Sequence, residues 1–529
     1  MENTIQIPYA STGKFSSIFL DYLNEDEKLK PFYTYSPNIA SFEKIIAARK
    51  KQSINRAVLL QVLNEQYQSI DTSELTLQNI AALANENTFT ITTGHQLSLF
   101  TGELYFIYKI ITCINLAEKA AAANPDNKIV PVFWMASEDH DFEEINHANI
   151  AGTKFEWKAE SGGALGELAT TGIDQIIDSI DHYLGNQAGK EKIIRLFKLA
   201  YAEQKSLATA TRVLVNELFK QYGLVIIDAN HPLLKKEFSE IIRSDIFEQN
   251  SFHQVTATNN LLAGKYTIQV NPRAINFFYL SAPSRSRIIK TETGFETADQ
   301  KFKFSADQLR TEIKLHPENF SPNVLMRPLY QESILPNLAY VGGPGEMAYW
   351  LQLKSTFAHY QIPFPMLAWR NSFALSNQKQ LKAIQALLPS TESIFKPLQE
   401  LIDAYVTTHS QNVLSLDTEQ QKIKEQIIAI QSKLQNIDQT LLASSAAAIT
   451  KIANLLKGLE KKMQKAEKKN HTVAIQQIEK IKAAFFPNGN LQERQDNFSH
   501  WYIQHESFIQ LIKNNSEPLN KHFTIIAID

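Results

Sequence analysis

Four ionisable residues stand in a row, Glu138, Asp139, His140 and Asp141, and Glu143 and Glu144 follow almost at once. An imidazole flanked by carboxylates can take a proton from an amine, return one to a leaving group or hold an ammonium. Asp139, His140 and Asp141 are therefore expected to line a pocket, with one of them as base or amine anchor. The plain alternative is a salt-bridged rim. A two-metal reading of the same cluster names no distant ligand, so no metal is expected. The residues just ahead, Val130-Pro131-Val132-Phe133-Trp134, explain why the charges would gather there. That run is short, β-branched and aromatic, as in a strand buried on both faces of a parallel sheet. Charges behind such a strand fall at the carboxyl edge, where open α/β sheets keep their ligands.

A second candidate is Gly342-Gly343-Pro344-Gly345, behind a strand at Leu338–Val341 and ahead of a helix from Glu346 to Lys354. A glycine turn opening a helix lets backbone N–H groups approach an anion. Glu346 would then face a substrate hydroxyl or ammonium. The spacing Gly343-x-Gly345-x-x-Ala348 resembles a dinucleotide fingerprint but lacks the acidic partner about 20 residues on. A tight turn is the plain reading. Gln492 and Arg494 form a third candidate, with Arg494 on a phosphate and Gln492 on a base or ribose, or with Arg494 in a structural ion pair.

Stepping outward along the chain, Thr88–Thr93 is β-rich and breaks at Gly94-His95-Gln96, and a helix follows from Glu103 to Asn124-Pro125. With the Val130 strand this makes a βαβ unit, which implies a parallel sheet. Leu224–Ile227 is another buried run, ending at Asp228, with a helix from Pro232 to Glu248. Phe364–Trp369 reads as the last core strand. Ser41 is placed to cap a helix reaching about Leu63. Ile193–Lys220 reads as helix inside an insertion, and Tyr266–Phe304 as β-hairpins carrying Arg273, Arg285 and Arg287 among Phe277, Phe278 and Tyr279, a solvated edge or a face toward an anion. From about residue 390 glycine becomes rare. Ile423, Ile427, Ile430, Leu434, Ile437 and Leu441 keep a 4-3-4-3-4 spacing, a heptad seam. Ser444-Ser445 is expected to break it before a second, lysine-rich helix that ends at Pro487-Asn488-Gly489. The two form an antiparallel hairpin, and the tail closes with a strand at Phe523–Ile528.

The fold class is thus α/β: a core with a parallel sheet, an insertion between its strands and an α-helical antiparallel hairpin with a heptad seam. The expected divisions are 1–150 (core, first part), 151–220 (insertion), 221–385 (core, second part, with a small β insertion near 262–305), 386–486 (helical domain) and 487–529 (return to the core). Net charge is −2 over 529 residues, with no general pull toward nucleic acid or anionic membrane. The one cysteine, Cys113, excludes internal disulfides, fits a reducing compartment and sits on an apolar helical face, a core position. The opening MENTIQIPYASTGKF lacks a signal-peptide pattern, and no apolar run approaches the roughly 18 residues of a membrane span, so the expected location is cytoplasmic.

Five segments in order carry a family resemblance: Thr93-Gly94-His95-Gln96 with Leu99–Tyr105, Pro131–Trp134 with Glu138–Asp141 and Glu144-Ile145-Asn146, Ser321-Pro322-Asn323 with Arg327-Pro328 and Gln331, Ala339–Glu346 with Ala348-Tyr349-Trp350, and Leu491-Gln492-Glu493-Arg494. Together they resemble the cysteine ligases of bacillithiol biosynthesis, the BshC family, over essentially the whole chain. The resemblance implies a Rossmann-like core related to class I nucleotidyl-transferases and aminoacyl-tRNA synthetases, with connective insertions and an antiparallel coiled-coil domain used for homodimerisation. It implies joining cysteine to the amine of glucosaminyl-malate, with ATP, alone or with Mg, as the inferred activator through an acyl-adenylate or acyl-phosphate. Carried onto this chain, the first two motifs add His95 to the catalytic residues and Gln96 and Glu138 to the substrate contacts. The third adds Arg327. The fourth adds Tyr340 and Trp350 to Gly342, Gly343, Gly345 and Glu346. Two departures stand out: His95 occupies a place where the family usually has Gln, and Phe100-Thr101-Gly102-Glu103 stands where class I synthetases carry His-x-Gly-His. The competing readings are a non-catalytic nucleotide-binding coiled-coil scaffold and a nucleotidyl-transferase relative. A scaffold has no need of acidic residues beside a buried strand.

Overall fold

A computed structural model describes residues 4–202, 204–505 and 507–528. Residues 1–3 of the opening stretch and Asp529 of the C-terminal segment lie outside these described residues. The centre is a five-stranded parallel sheet. Its strands are β1 (Thr88–His95), β2 (Lys128–Met135), β3 (Val225–Asp228), β4 (Asn337–Gly342) and β5 (Met366–Trp369), in the order β5-β4-β1-β2-β3. The strands are buried nearly end to end, as runs without alternation require. β1 is rich in threonine, and its hydroxyls are satisfied within the sheet. Thr90 and Thr92 donate to Asn337 Oδ1 at 3.2 and 2.8 Å, and Thr93 donates to the Val341 carbonyl at 2.7 Å. A polar strand can therefore lie in the middle of a core.

The helix after β1, α1 (Tyr105–Ala123), is buried at every position from Phe106 to Ala117. It carries Cys113, a free and buried thiol that donates to the Ile91 carbonyl at 3.1 Å. After β3 comes α2 (Pro232–Glu248), with the bounds expected. After β4 comes α3 (Pro344–Trp350), which starts two residues earlier than expected and stops sooner, and a separate short helix, Lys354–His359, follows. Pro344 at the first helical position explains the early start, since its fixed φ suits a helix and its missing N–H is not needed there.

Several local expectations change. Ser41–Leu63 is two helices, Ser41–Arg49 and Arg56–Tyr67, and Asn55 rather than Ser41 provides a side-chain cap, accepting from the Val58 N–H. Ile193–Lys220 is also divided, into Lys190–Phe197, a π-type turn at Lys198–Ala202 and Leu207–Phe219 capped by Ser206. The β insertion is a five-stranded antiparallel sheet spanning 277–322, because Phe320–Pro322 returns to pair with Phe277–Tyr279. The expected final strand forms as His522–Ala527 and lies in a second sheet, between Thr4–Pro8 and Phe373–Ser376.

The helical domain contains α4 (Asp417–Gln435) and α5 (Leu441–Lys468), antiparallel neighbours. The chain reverses at 436–440, not at Ser444-Ser445. Ser445 is buried inside α5 and accepts a hydrogen bond from Gln431 Nε2 of α4 at 2.7 Å, so it ties the two helices together. α5 stops at a 3₁₀ turn, Lys469–His471, before a further helix, Thr472–Phe485. The heptad seam is only half covered: no residue of α4 is fully buried, and Ile430 and Ile437 are 50% and 77% exposed. No described helix is long and apolar enough to cross a membrane.

Candidate active site

β1 and β4 are neighbours, yet the chain leaves β1 toward β2 and leaves β4 toward β5 on the opposite side. Such a switch point opens a crevice at the carboxyl ends of the strands. A cavity of about 540 Å³ lies there. The ends of β1, β2, β4 and β5 and the turns behind them supply Gly94–Gln96, Trp134, Glu138 and Asp139, Tyr340, Gly343, Glu346 and Arg370. α1 adds Tyr105 and Lys109, the β insertion and the loop behind it add Phe278, Arg285, Asn323 and Arg327, and the C-terminal segment adds Arg494.

The row of four acidic and imidazole residues does not act together. Behind β2 the chain turns, with the Asp139 N–H donating to the Ala136 carbonyl at 3.3 Å. Glu138 and Asp139 line the cavity while His140 and Asp141 do not, although His140 touches the lining residues Arg285 and Phe278. Glu138 pairs with Lys235 of α2, a fully buried lysine that also donates to the Phe320 carbonyl at 2.7 Å. Asp139 accepts from Gln96 Nε2 at 2.7 Å and from the His140 N–H at 2.8 Å, with Arg285 Nη1 at 3.8 Å. Burial alone would raise its pKa, but the hydrogen bonds from His140 and Gln96 and the Arg285 charge outweigh it and hold the carboxyl well below the usual range. His140 is 46% exposed and accepts from Arg285 Nη1 at 2.8 Å. Asp141 is exposed at the start of the short helix Phe142–Ile145 and makes no side-chain cap. The pocket expected of Asp139, His140 and Asp141 together thus contains Asp139 alone.

The glycine turn is also occupied from within. Gly342 lies against Met347 and Tyr340 and is absent from the cavity wall, where a Cβ would come 2.6 Å from Met347 Cε. The Gly343 N–H donates to Glu346 Oε2 at 2.8 Å, and Pro344 has no N–H, so the turn does not present the row of free donors expected of it. Glu346 also accepts from Lys109 Nζ at 2.6 Å and from the Tyr340 hydroxyl at 2.7 Å. Burial opposes its ionisation, but Lys109, the Gly343 N–H and the tyrosine bring its pKa down to about 2. Gly343, Gly345, Glu346 and Tyr340 line the cavity. Trp350 does not: it is fully buried and stacks on Tyr340 at 4.5 Å, holding that ring in place.

His95 Nδ1 lies 3.0 Å from the Gln96 carbonyl. Burial, helped by Lys109, lowers its pKa to about 4, so the ring is neutral at pH 7. A neutral ring donating from Nδ1 to that carbonyl leaves Nε2 as an acceptor. Nearby, Phe100, Thr101 and Gly102 have φ of 52°, 71° and 62° in succession. Left-handed backbone at a β-branched threonine is strained, and such strain persists only where surroundings enforce it. Here Asn497 Nδ2 donates to both the Phe100 and Gly102 carbonyls, at 2.8 and 2.6 Å.

Charge pairing leaves a surplus. Glu138 is matched by Lys235, Asp139 by Arg285, Glu346 by Lys109, and Arg370 by a bidentate pair with Glu493. Among the described residues Arg327 and Arg494 have no carboxylate within ion-pair distance. Arg327 bonds Gln331 Oε1 at 3.1 Å and lies 5.5 Å from the Tyr340 ring centre. Gln492, expected beside Arg494 on one nucleotide, is instead buried, bonded to the Leu375 backbone on both sides, and lines a different cavity. No group of three or more His, Cys, Asp or Glu among the described residues has metal-holding geometry. Of the three hairpin arginines Arg285 lines the cavity, whereas Lys109, Arg370, Tyr105, Asn323 and Tyr349 were not among the expected site residues. Two of them had a signal: Lys109 is the lone charge in an apolar helical run, and Arg370 directly follows a buried strand, as Asp139 nearly does.

The chain matches the family model "Bacillithiol biosynthesis BshC, N-terminal Rossmann-like domain" over residues 2–371 and "Bacillithiol biosynthesis BshC, C-terminal coiled-coil domain" over residues 373–528. It is 43% identical over 527 residues to a protein of Flavobacterium johnsoniae, with 99% of each chain covered. It is 41% identical to one of Flavobacterium psychrophilum and 39% identical to one of Cytophaga hutchinsonii, with 98% and 97% of each chain covered. All three bear the name "Putative cysteine ligase BshC".

Proposed function

The chain belongs to the BshC family of bacillithiol biosynthesis, and from that membership we propose that it is a cysteine ligase that forms an amide between cysteine and the amine of glucosaminyl-malate. The observation that carries the reading is the pair of unmatched cations, Arg327 and Arg494, on a cavity whose acidic residue Asp139 is held ionised. Both substrates bring carboxylates, and one must also present an amine. A cavity with two cations outside any direct ion pair and a carboxylate held ionised suits that combination. ATP fits the same donors: Arg327 and Arg494 would hold its phosphates, and bound there it supplies the activation of the cysteine carboxylate.

In this reading the glucosaminyl-malate ammonium gives one proton to solvent on binding, and the neutral amine donates an N–H to Asp139, itself kept in place by Gln96. His95, neutral, accepts a hydrogen bond from the same amine through Nε2. When the amine attacks the activated carbonyl a C–N bond forms, the bond to the leaving group breaks, and the nitrogen becomes acidic enough to give its proton to Asp139. Tyr340, fixed by Trp350 and Glu346, walls the cavity against water. The test is a purified reaction with cysteine, glucosaminyl-malate and ATP, read by mass spectrometry. Product that requires all three supports the reading, and no product with all three present ends it.

We also propose that the protein acts in the cytoplasm, as its free buried thiol suits, and as a homodimer through the helical domain. Ile437, Leu455 and Val473 of that domain are 77%, 62% and 71% exposed, which a second copy would cover. Light scattering of wild type against Leu455→Glu tests the dimer, and an equal mass for the two proteins at that of one chain removes it.

A further inference from the structure

Among the described residues the C-terminal segment reaches the cavity with one side chain, Arg494, and its neighbours anchor it on both sides. Gln492 extends the backbone pairing of Leu375, donating to its carbonyl at 3.0 Å and accepting from its N–H at 2.7 Å. Asn497 holds the strained turn at Phe100–Gly102. Between them Glu493 is fully buried and grips Arg370 with two hydrogen bonds of 2.8 Å, Nη1 to Oε2 and Nη2 to Oε1. Arg370 is 2% exposed, lines the cavity and lies 5.1 Å from the Tyr105 ring centre.

We propose that Glu493 is a positioning residue for the ligase reaction: its two-point hold on Arg370 sets the 3₁₀ turn Gln492–Arg494 so that Arg494 completes the anion-binding side of the cavity. This rests on the ligase reading above. Two arguments support it. A buried ion pair is a costly way to join two segments, and apolar side chains of similar size often do so at least as well. What the bidentate pair adds is direction, because a guanidinium fork and a carboxylate lock each other's plane. The direction matters here because Arg370 and Arg494 are both wall residues and the turn ties one to the other. The active site is then finished by a segment that follows the whole helical domain in the chain, so the root of that domain and the cavity are mechanically joined through Leu375, Gln492 and Glu493.

A double-mutant cycle decides it. Glu493→Gln, Arg494→Ala and the double variant are compared for kcat/KM with glucosaminyl-malate and for melting temperature. The expected result is that each single change lowers kcat/KM by about tenfold, mainly through KM, and the double variant is no worse than the weaker single within about twofold, since coupled residues are non-additive. Glu493→Asp, which keeps the charge, should recover part of the loss. Arg494→Ala, being exposed, should melt with wild type. Multiplying losses in the double variant, or an unchanged KM in Glu493→Gln, would overturn the proposal. If wild type shows no turnover, the ligase reading has failed by itself. Hydrogen exchange then decides the positioning: faster exchange at the Arg494 and Gln495 amides in Glu493→Asp, with β5 unchanged, upholds it, and equal exchange removes it.

Discussion

Lys109 Nζ lies 2.6 Å from Glu346 Oε2, an ion pair that spans 237 residues of sequence and joins the helix after β1 to the helix after β4. It closes the floor of the cavity at the place where the strand order reverses. The lysine also donates to the Gly94 carbonyl, so the ends of both strands are tied to one ammonium.

Lys109→Met should cost on the order of 3–5 kcal/mol of stability, because it leaves Glu346 in place without its counter-ion. Denaturant unfolding of the purified variant measures this. The pair also predicts an acid limit. Glu346 has its pKa lowered to about 2 in the folded protein, against about 4.3 when unfolded. Its stabilisation is complete above the unfolded value and is lost as pH falls through that value toward 2. The stability gap between wild type and Glu346→Gln should therefore narrow steadily below about pH 4.3. A gap that stays constant down to pH 2.5 would show that Glu346 is not held ionised.

Asp139 and Asp141 should separate cleanly, although only two positions apart. Asp139→Asn removes the anchor for the amine and the acceptor of its proton, and kcat should fall roughly 10²–10⁴-fold. Asp141→Asn alters an exposed residue off the cavity and should change kcat/KM by less than about twofold, with stability within about 0.5 kcal/mol. Steady-state kinetics on the two variants side by side is the measurement, and equal losses would mean the loop closes differently around substrate.

Arg327→Gln should weaken the anionic substrates by about 10–100-fold, the worth of a hydrogen bond to a charged group in a partly buried site. Its bonds to Gln331 and Tyr349 and the nearby Glu346 charge favour the cation in the free protein, so its loss should lower the melting temperature modestly while KM rises. A drop in stability without a change in KM would make it a structural residue. Added salt should raise KM for wild type more than for the variant, since part of the attraction is screened.

The acid limb of activity should not be centred at 6.5, where an unperturbed histidine titrates. His95 remains neutral down to about pH 4, because protonation in its buried place beside Lys109 is disfavoured. His95→Gln keeps a neutral hydrogen-bonding group and should retain activity within about tenfold, whereas His95→Leu should lose more. A pH profile of kcat/KM for the three proteins tests this, and a wild-type limb near 6.5 that vanishes in His95→Gln would contradict it.

What could be read from the chain was whatever is encoded locally. Continuous apolar runs marked the strands, because a strand covered on both faces has no polar side to show. The charged row behind β2 and the glycine turn behind β4 marked the carboxyl edge, because strands of a parallel sheet end there together. The 4-3-4-3-4 spacing marked the hairpin, and five ordered motifs marked the family. Where the hairpin reverses was missed, since Ser445 is a poor helix former that α5 tolerates by bonding across to Gln431.

Tertiary structure decided which of those residues share a space. Asp139 lines the cavity and Asp141, two residues on at the start of a separate short helix, does not. Gln492 and Arg494, alike in the sequence, fall on two different cavities, because a 3₁₀ turn points successive side chains apart. Arg370 finds Glu493 after 123 residues, and Lys109 finds Glu346 after 237. Periodicity records how each residue stands to its own element. Which carboxylate meets which cation depends on how distant elements cross, and only the folded chain brings those groups within reach of one another.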